Sequence, residues 1–243
     1  MTFPFLRGSS LALLLALLAG CGGGDGGDSG PATTISGTVA VGAPLSGAGL
    51  IVRCSSGVTR NTTTAAGGSF LVSVPTSSLP CALRATPAGG GQALHSVANG
   101  TGSTLTTNIT PLTDLITALA VNTAAGQTLA AWFANPANNL GAVASGLAAA
   151  QTTLQNALDT AGYSLPSPFD PFATPFSPTA GDVYDDLLEA LATAISNSAS
   201  YDDYAALLAA FVAGSLLPDA PGDDDPEAPS NIAVLTAYAG TYA

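Results

Sequence analysis

The sequence predicts an α+β chain: an N-terminal seven-stranded β-sandwich followed by a small α-helical bundle. Three observations lead there. Between residues 35 and 109, runs of strand-forming residues are separated by turn residues about every 8–12 positions. From Thr110 onward the apolar positions switch to a helical period. The charges divide at the same point: residues 35–109 carry Arg53, Arg60 and Arg84 and no acid, while residues 110–217 carry nine acids and no base.

The strand-like runs are 35–41, 50–54, 58–64, 69–74, 81–86, 94–98 and 104–109. Phe70, Val72 and Val74 share one strand face, as do Leu50, Val52 and Cys54, which is the period of two that a half-buried strand requires. Gly57, Gly67-Gly68, Pro75, Pro87 and the triplet at 89–91 punctuate the runs. Cys81 lies with Leu83 and Ala85 on the inward face of its strand. In an exported chain the Cys54 and Cys81 pair reads as a disulfide, which contributes on the order of 3–4 kcal/mol through loop entropy.

In the helical part, Thr110-Pro111 supplies an N-cap and a proline at the first helical position, followed by a stripe of Leu112, Leu115, Ile116 and Leu119. A second helix is expected over about 139–161, with Leu140, Val143, Leu147, Leu154 and Leu158 on one face and Gly162 at its end. The proline-rich connector 165–178 carries three Phe residues expected to pack onto the helices. Thr179-Ala180-Gly181-Asp182 resembles a capping box that opens a third helix, and Ser200-Tyr201-Asp202-Asp203 opens a fourth, ended by Gly214.

The first 20 residues read as a leader. Arg7 is the single charge ahead of a nine-residue apolar run, half of what a membrane-spanning helix needs. Leu18-Ala19-Gly20-Cys21 then resembles the lipobox of bacterial lipoproteins. That resemblance implies lipidation of Cys21, cleavage before it and anchoring by two or three acyl chains, which hold durably. With Gly22 after the cysteine it implies the outer membrane, facing periplasm or cell surface. Residues 21–34 follow as the lipidated cysteine and a flexible Gly-rich tether. Beyond the helices, 218–229 reads as an acidic Pro-rich linker. Residues 230–243 look like the start of a further β module; truncation is the favoured reading over a strand that augments a sheet edge.

The stretch ISGTVAVGAPLSGAGLIVRCSSG, followed by NTTTAAGGSFLVSV, resembles the carboxypeptidase regulatory-like (transthyretin-like) β-sandwich. Gly37, Val39, Ala43-Pro44-Leu45, Gly47-Ala48, residues 62–64, Gly68 and Phe70 carry the likeness. It implies a fold and is nearly silent on function, since such domains serve as spacers, adhesion modules and enzyme appendages alike.

Net charge is −12, from four Arg against 16 acids, so clustered cations for phosphate neutralisation are missing and a nucleic-acid partner is excluded. With 46 Ala against 15 aromatics the core is expected to be shallow. Asp182, Asp185, Asp186 and Glu189 fall at i, i+3, i+4 and i+7, on one side of the third helix, and are weak candidates for a divalent cation or basic partner. The Asp223-Asp224-Asp225 run lacks the spacing of a calcium loop. His95 is the single imidazole and no G-x-S-x-G occurs, so it reads as a plain strand histidine. Trp132 with Phe133, and Tyr201 with Tyr204, are at helical spacing and read as core rather than as sugar-stacking platforms.

No nucleophile motif, phosphate loop or cofactor signature is present, and no enzyme is expected. The expected function is a non-enzymatic, lipid-anchored envelope module that binds a protein partner or polysaccharide. The alternatives are a structural spacer for a missing C-terminal domain and an accessory domain of a secreted hydrolase. Exposed aromatics in one cleft would favour binding, their burial the spacer. A pocket bringing acids to His95 would revive an enzyme.

Overall fold

The computed structural model describes residues 30–201 and 203–222. The leader, Cys21, most of the tether, the 223–225 acidic run and the 230–243 segment lie outside them. Seven strands come first: β1 (Ala32–Thr38), β2 (Gly49–Cys54), β3 (Thr59–Thr63), β4 (Ser69–Pro75), β5 (Cys81–Thr86), β6 (Leu94–Ala98) and β7 (Thr104–Thr106). They form a three-stranded sheet in the order β4-β1-β7 and a four-stranded sheet in the order β3-β2-β5-β6. Every named pairing is antiparallel except β1 with β7. Five helices follow: α1 (Pro111–Ala125), α2 (Leu129–Ala134), α3 (Leu140–Thr160), α4 (Val183–Asn197) and α5 (Tyr204–Val212).

The molecule is stacked in three layers. Ile35, Leu50, Val52, Phe70, Val72 and Leu83 fill a first core between the two sheets. The outer face of the four-stranded sheet, through Ala82 and Val97, joins a second core built by the helices. β6 is therefore covered on both sides and buried at all five positions, which is why its sequence shows no polar alternation. Cys54 and Cys81 are register partners at the end of the β2–β5 ladder, with Cα atoms 3.9 Å apart, and are joined as a disulfide.

Two glycines of the sandwich stretch are set by close backbone approach. A Cβ on Gly37 would stand 2.2 Å from the Thr107 carbonyl oxygen. Gly68 has φ +75° and lies against the Val39 carbonyl, so a side chain there meets both strain and a clash.

Four details differ from the sequence expectation. β1 lies at Ala32–Thr38 rather than 35–41, because Gly37 permits the close approach to Thr107, after which Val39 and Ala40 make only isolated bridges. The short α2 was not anticipated; Thr128 caps it by accepting from the Ala131 N–H. Helix α4 is capped by Asp182 rather than Thr179, since the Asp182 carboxylate accepts from both the Tyr184 and Ser177 N–H groups. Leu119 is only partly buried, because α1 is enclosed nearly all round rather than along one stripe. The Thr110 cap and Pro111 start of α1 stand as expected, as does the packing of Phe169, Phe172 and Phe176 on the helices; α5, like α4, is capped by the acid that ends the capping-box pattern, Asp203, rather than by Ser200.

Asn108 fastens the proline-rich connector to the sandwich. Its side-chain oxygen accepts from the Thr38 N–H, and its NH2 donates to the Pro171 and Thr174 carbonyls.

Candidate functional site

The seam between the sandwich and the helices concentrates the buried chemistry. On the outer face of β6, His95 meets Asp114, which sits in the first turn of α1 and is completely buried. The Asp114 carboxylate accepts from the His95 backbone N–H at 2.7 Å and from His95 Nδ1–H at 2.9 Å through one oxygen. Its other oxygen lies 2.9 Å from the Tyr204 hydroxyl at the start of α5. A carboxylate near a helix N-terminus is favoured by the helix dipole, and three donors satisfy it. Burial, then the neighbouring Asp114, pushes the Tyr204 phenol well above its ordinary range, so it stays a donor.

Because a carboxylate only accepts, Nδ1 carries a proton. Nε2 is buried with no hydrogen-bond partner among the described residues, and the imidazole meets the Phe133 ring edge-on, centroids 5.5 Å apart. Ser96 points to the opposite face of β6, as alternation dictates. The structure thus brings an acid to His95, which the sequence did not foresee, but as a closed brace joining β6, α1 and α5.

Phe133 is the centre of the second contact across the seam. The Arg84 guanidinium lies 4.8 Å from its centroid and Arg53 lies 5.2 Å away. Arg53 also donates to the Phe133 carbonyl at 2.8 Å and to the Ala134 carbonyl, neutralising the C-terminal end of α2. These arginines therefore serve a ring and a helix end, and neither meets a carboxylate among the described residues. Trp132 and Phe133 are fully buried, Tyr201 is buried with its hydroxyl donating to the Leu216 carbonyl, and Tyr204 is partly buried, so no aromatic platform faces solvent in these pairs.

The four acids of α4 do share a side of the helix but do not converge. Asp182 caps the helix and Asp186 accepts from the Gly181 N–H. Among the described residues no group of three His, Cys, Asp or Glu side chains is placed to hold a metal ion. Asp185 is buried, and its Oδ1 has no partner among the described residues. Burial first, and then Glu189, Asp182 and Asp186, raise its carboxyl above the usual range. Glu189 is exposed and lies beneath the turn at Gly42, where its Cγ is 3.1 Å from the position of an added Cβ.

Beside this helix a half-open cleft of about 460 Å³ separates α4 from the ends of the sandwich. Leu188, Leu191 and Ile195 form one wall, Val41, Leu45 and Leu94 the other, and Gln92 and Tyr204 are its polar groups. A smaller cleft of about 280 Å³ meets it at Gln92 and runs along the outward stripe of α5 through Leu208 and Val212. The volume and apolar lining are those of a small-molecule site. The sequence signal that was available is the lone acid in LTDLITALA: an Asp inside an otherwise apolar helix marks a buried partner. The cleft had no such signal, because its walls come from five separate segments. Comparison with family models, curated proteins and solved structures found no match.

Proposed function

We propose that this chain is a lipid-anchored cell-envelope lipoprotein that acts as a non-enzymatic binding module, taking an apolar ligand in the cleft between sandwich and α4. The cleft is the observation that carries the reading: about 460 Å³, walled by aliphatic side chains and edged by two polar groups. An apolar lining without a solvent-facing aromatic platform favours a ligand or partner segment with hydrocarbon surface over a polysaccharide. The leader, Leu18-Ala19-Gly20-Cys21 and the Gly-rich tether support attachment at the outer membrane through Cys21. The likeness to carboxypeptidase regulatory-like sandwiches fits an accessory binding role.

Two measurements test this. Acyl-chain labelling and membrane fractionation check the anchor: Cys21→Ser is expected to abolish label and release the protein. A fluorescent apolar probe checks the cleft: it is expected to bind the wild type and to lose binding in Ala192→Trp, which places an indole at the exposed rim. Probe binding unchanged by that substitution contradicts the cleft assignment.

The spacer alternative draws support from a different observation, the burial of Trp132, Phe133 and Tyr201. It predicts no probe binding in any variant.

A further inference from the structure

We infer that the two clefts act as one channel, and that its ligand carries a single long, unbranched acyl or alkyl chain. That chain runs from the α4 wall past Gln92 onto the outward face of α5. The inference rests on the cleft reading above and adds the class of ligand. Helix α5 supplies the first observation. Apart from Tyr204 every residue of Tyr204–Val212 is apolar, yet only Leu207 and Phe211 are buried. Ala205, Leu208, Ala209 and Val212 recur at i, i+3, i+4 and i+7, the spacing of a helix face that packs against something, and all four line the smaller cleft. A surface helix ordinarily turns polar side chains outward; this one turns out a second apolar face, with Ala205 and Ala209 exposed.

Continuity is the second observation. Gln92 lines both clefts, and Tyr204 of the larger is followed directly by Ala205 of the smaller, so volumes of about 460 and about 280 Å³ adjoin. No charged side chain lines either one, in a chain of net charge −12. An ionised group inside would lose its hydration without gaining a partner, so the enclosed part of the ligand is uncharged. A peptide is poorly served, because each of its residues brings an N–H and a C=O that need partners. The outer edge of β6, whose Leu94 lines the larger cleft, is already engaged: the His95 N–H donates to Asp114 and the His95 carbonyl accepts from the Thr113 hydroxyl. A hydrocarbon chain asks for no hydrogen bonds and gains with every methylene it buries.

The test uses the full chain carrying Cys21→Ser, oxidised, so that no acyl group of its own competes. Straight-chain primary alcohols from octanol to tetradecanol are titrated against the bound fluorescent probe. Affinity is expected to rise about fourfold for each methylene added beyond octanol, the worth of burying it. Ala209→Trp, which sets an indole in the smaller cleft, is expected to leave octanol binding in place and to flatten that rise. Ala205→Phe, on the same exposed face, is expected to act alike. A rise that stops at octanol in the unsubstituted channel overturns the inference and leaves the cleft reading standing. A rise undiminished by either substitution overturns it too, as partition onto general apolar surface. Absence of displacement by every alcohol overturns both the channel and the cleft reading.

Discussion

The two hydrophobic cores of this chain are held in different ways. The one between the sheets is filled by alternating aliphatic side chains, contains no charged residue and is closed by the Cys54–Cys81 bridge. The one beneath the helices is rich in alanine and has no covalent tie; polar groups reaching across from the sandwich secure it. His95 is anchored on Asp114 and Tyr204, Arg53 holds the end of α2, and Asn108 fastens the connector. Four of the five buried side-chain atoms without a hydrogen-bond partner among the described residues lie on the helical side of the seam. The sheet core supplies rigidity, and the helical core supplies places for a ligand.

That contrast can be broken first at Asp114. Asp114→Ala leaves the His95 backbone N–H and imidazole N–H without their acceptor, while the Tyr204 hydroxyl keeps the Pro111 carbonyl, and is expected to cost about 3–5 kcal/mol by denaturant unfolding. The loss should fall on the helices: amide exchange is expected to quicken across α1 and α5 while β2 and β5 stay protected. Removing the bridge with Cys54→Ser and Cys81→Ser together tests the other region. The expected cost is about 3–4 kcal/mol, concentrated in the sheets. Gly37→Ala, which drives a methyl group into the Thr107 carbonyl, is expected to cost roughly 1–3 kcal/mol by the same measurement.

The smallest expected effect has the opposite sign. Burial raises the Asp185 carboxyl, so the folded chain binds more protons than the unfolded chain between the ordinary carboxyl range near 3.8 and the raised value. Stability contributed by this group therefore falls as pH rises through that window. Asp185→Asn is expected to stabilise the protein by about 1 kcal/mol at pH 7, the advantage vanishing below about pH 4. Thermal melts across pH check both the sign and the window.

The same division governs what could be read from the residues alone. The strands announced themselves through Phe70-Val72-Val74 and Leu50-Val52-Cys54, because a sheet with one face on a core must alternate. Thr110-Pro111 announced one helix start, since capping is local chemistry, whereas α4 and α5 are capped three residues after the threonine and serine that the capping-box pattern names. α2 escaped notice because six residues carry too little period, and its place depends on Arg53 and Phe133 from segments about 80 positions apart. The pairing of His95 with Asp114 was equally hidden: a strand histidine and a helix acid meet only once the helices cover the outer face of β6. The acids of α4 were correctly placed on one side, but spacing could not show that two of them serve as caps and one is buried.

The account stands or falls on the cleft at the seam. Backbone amide shifts recorded during an octanol titration of the acyl-free chain test it most directly. The account predicts saturable shifts confined to Leu188–Ile195, Val41, Leu45, Leu94 and Tyr204, with the sheet core silent. Shifts spread evenly over the acidic surface, or centred on the outer face of the three-stranded sheet, would contradict it.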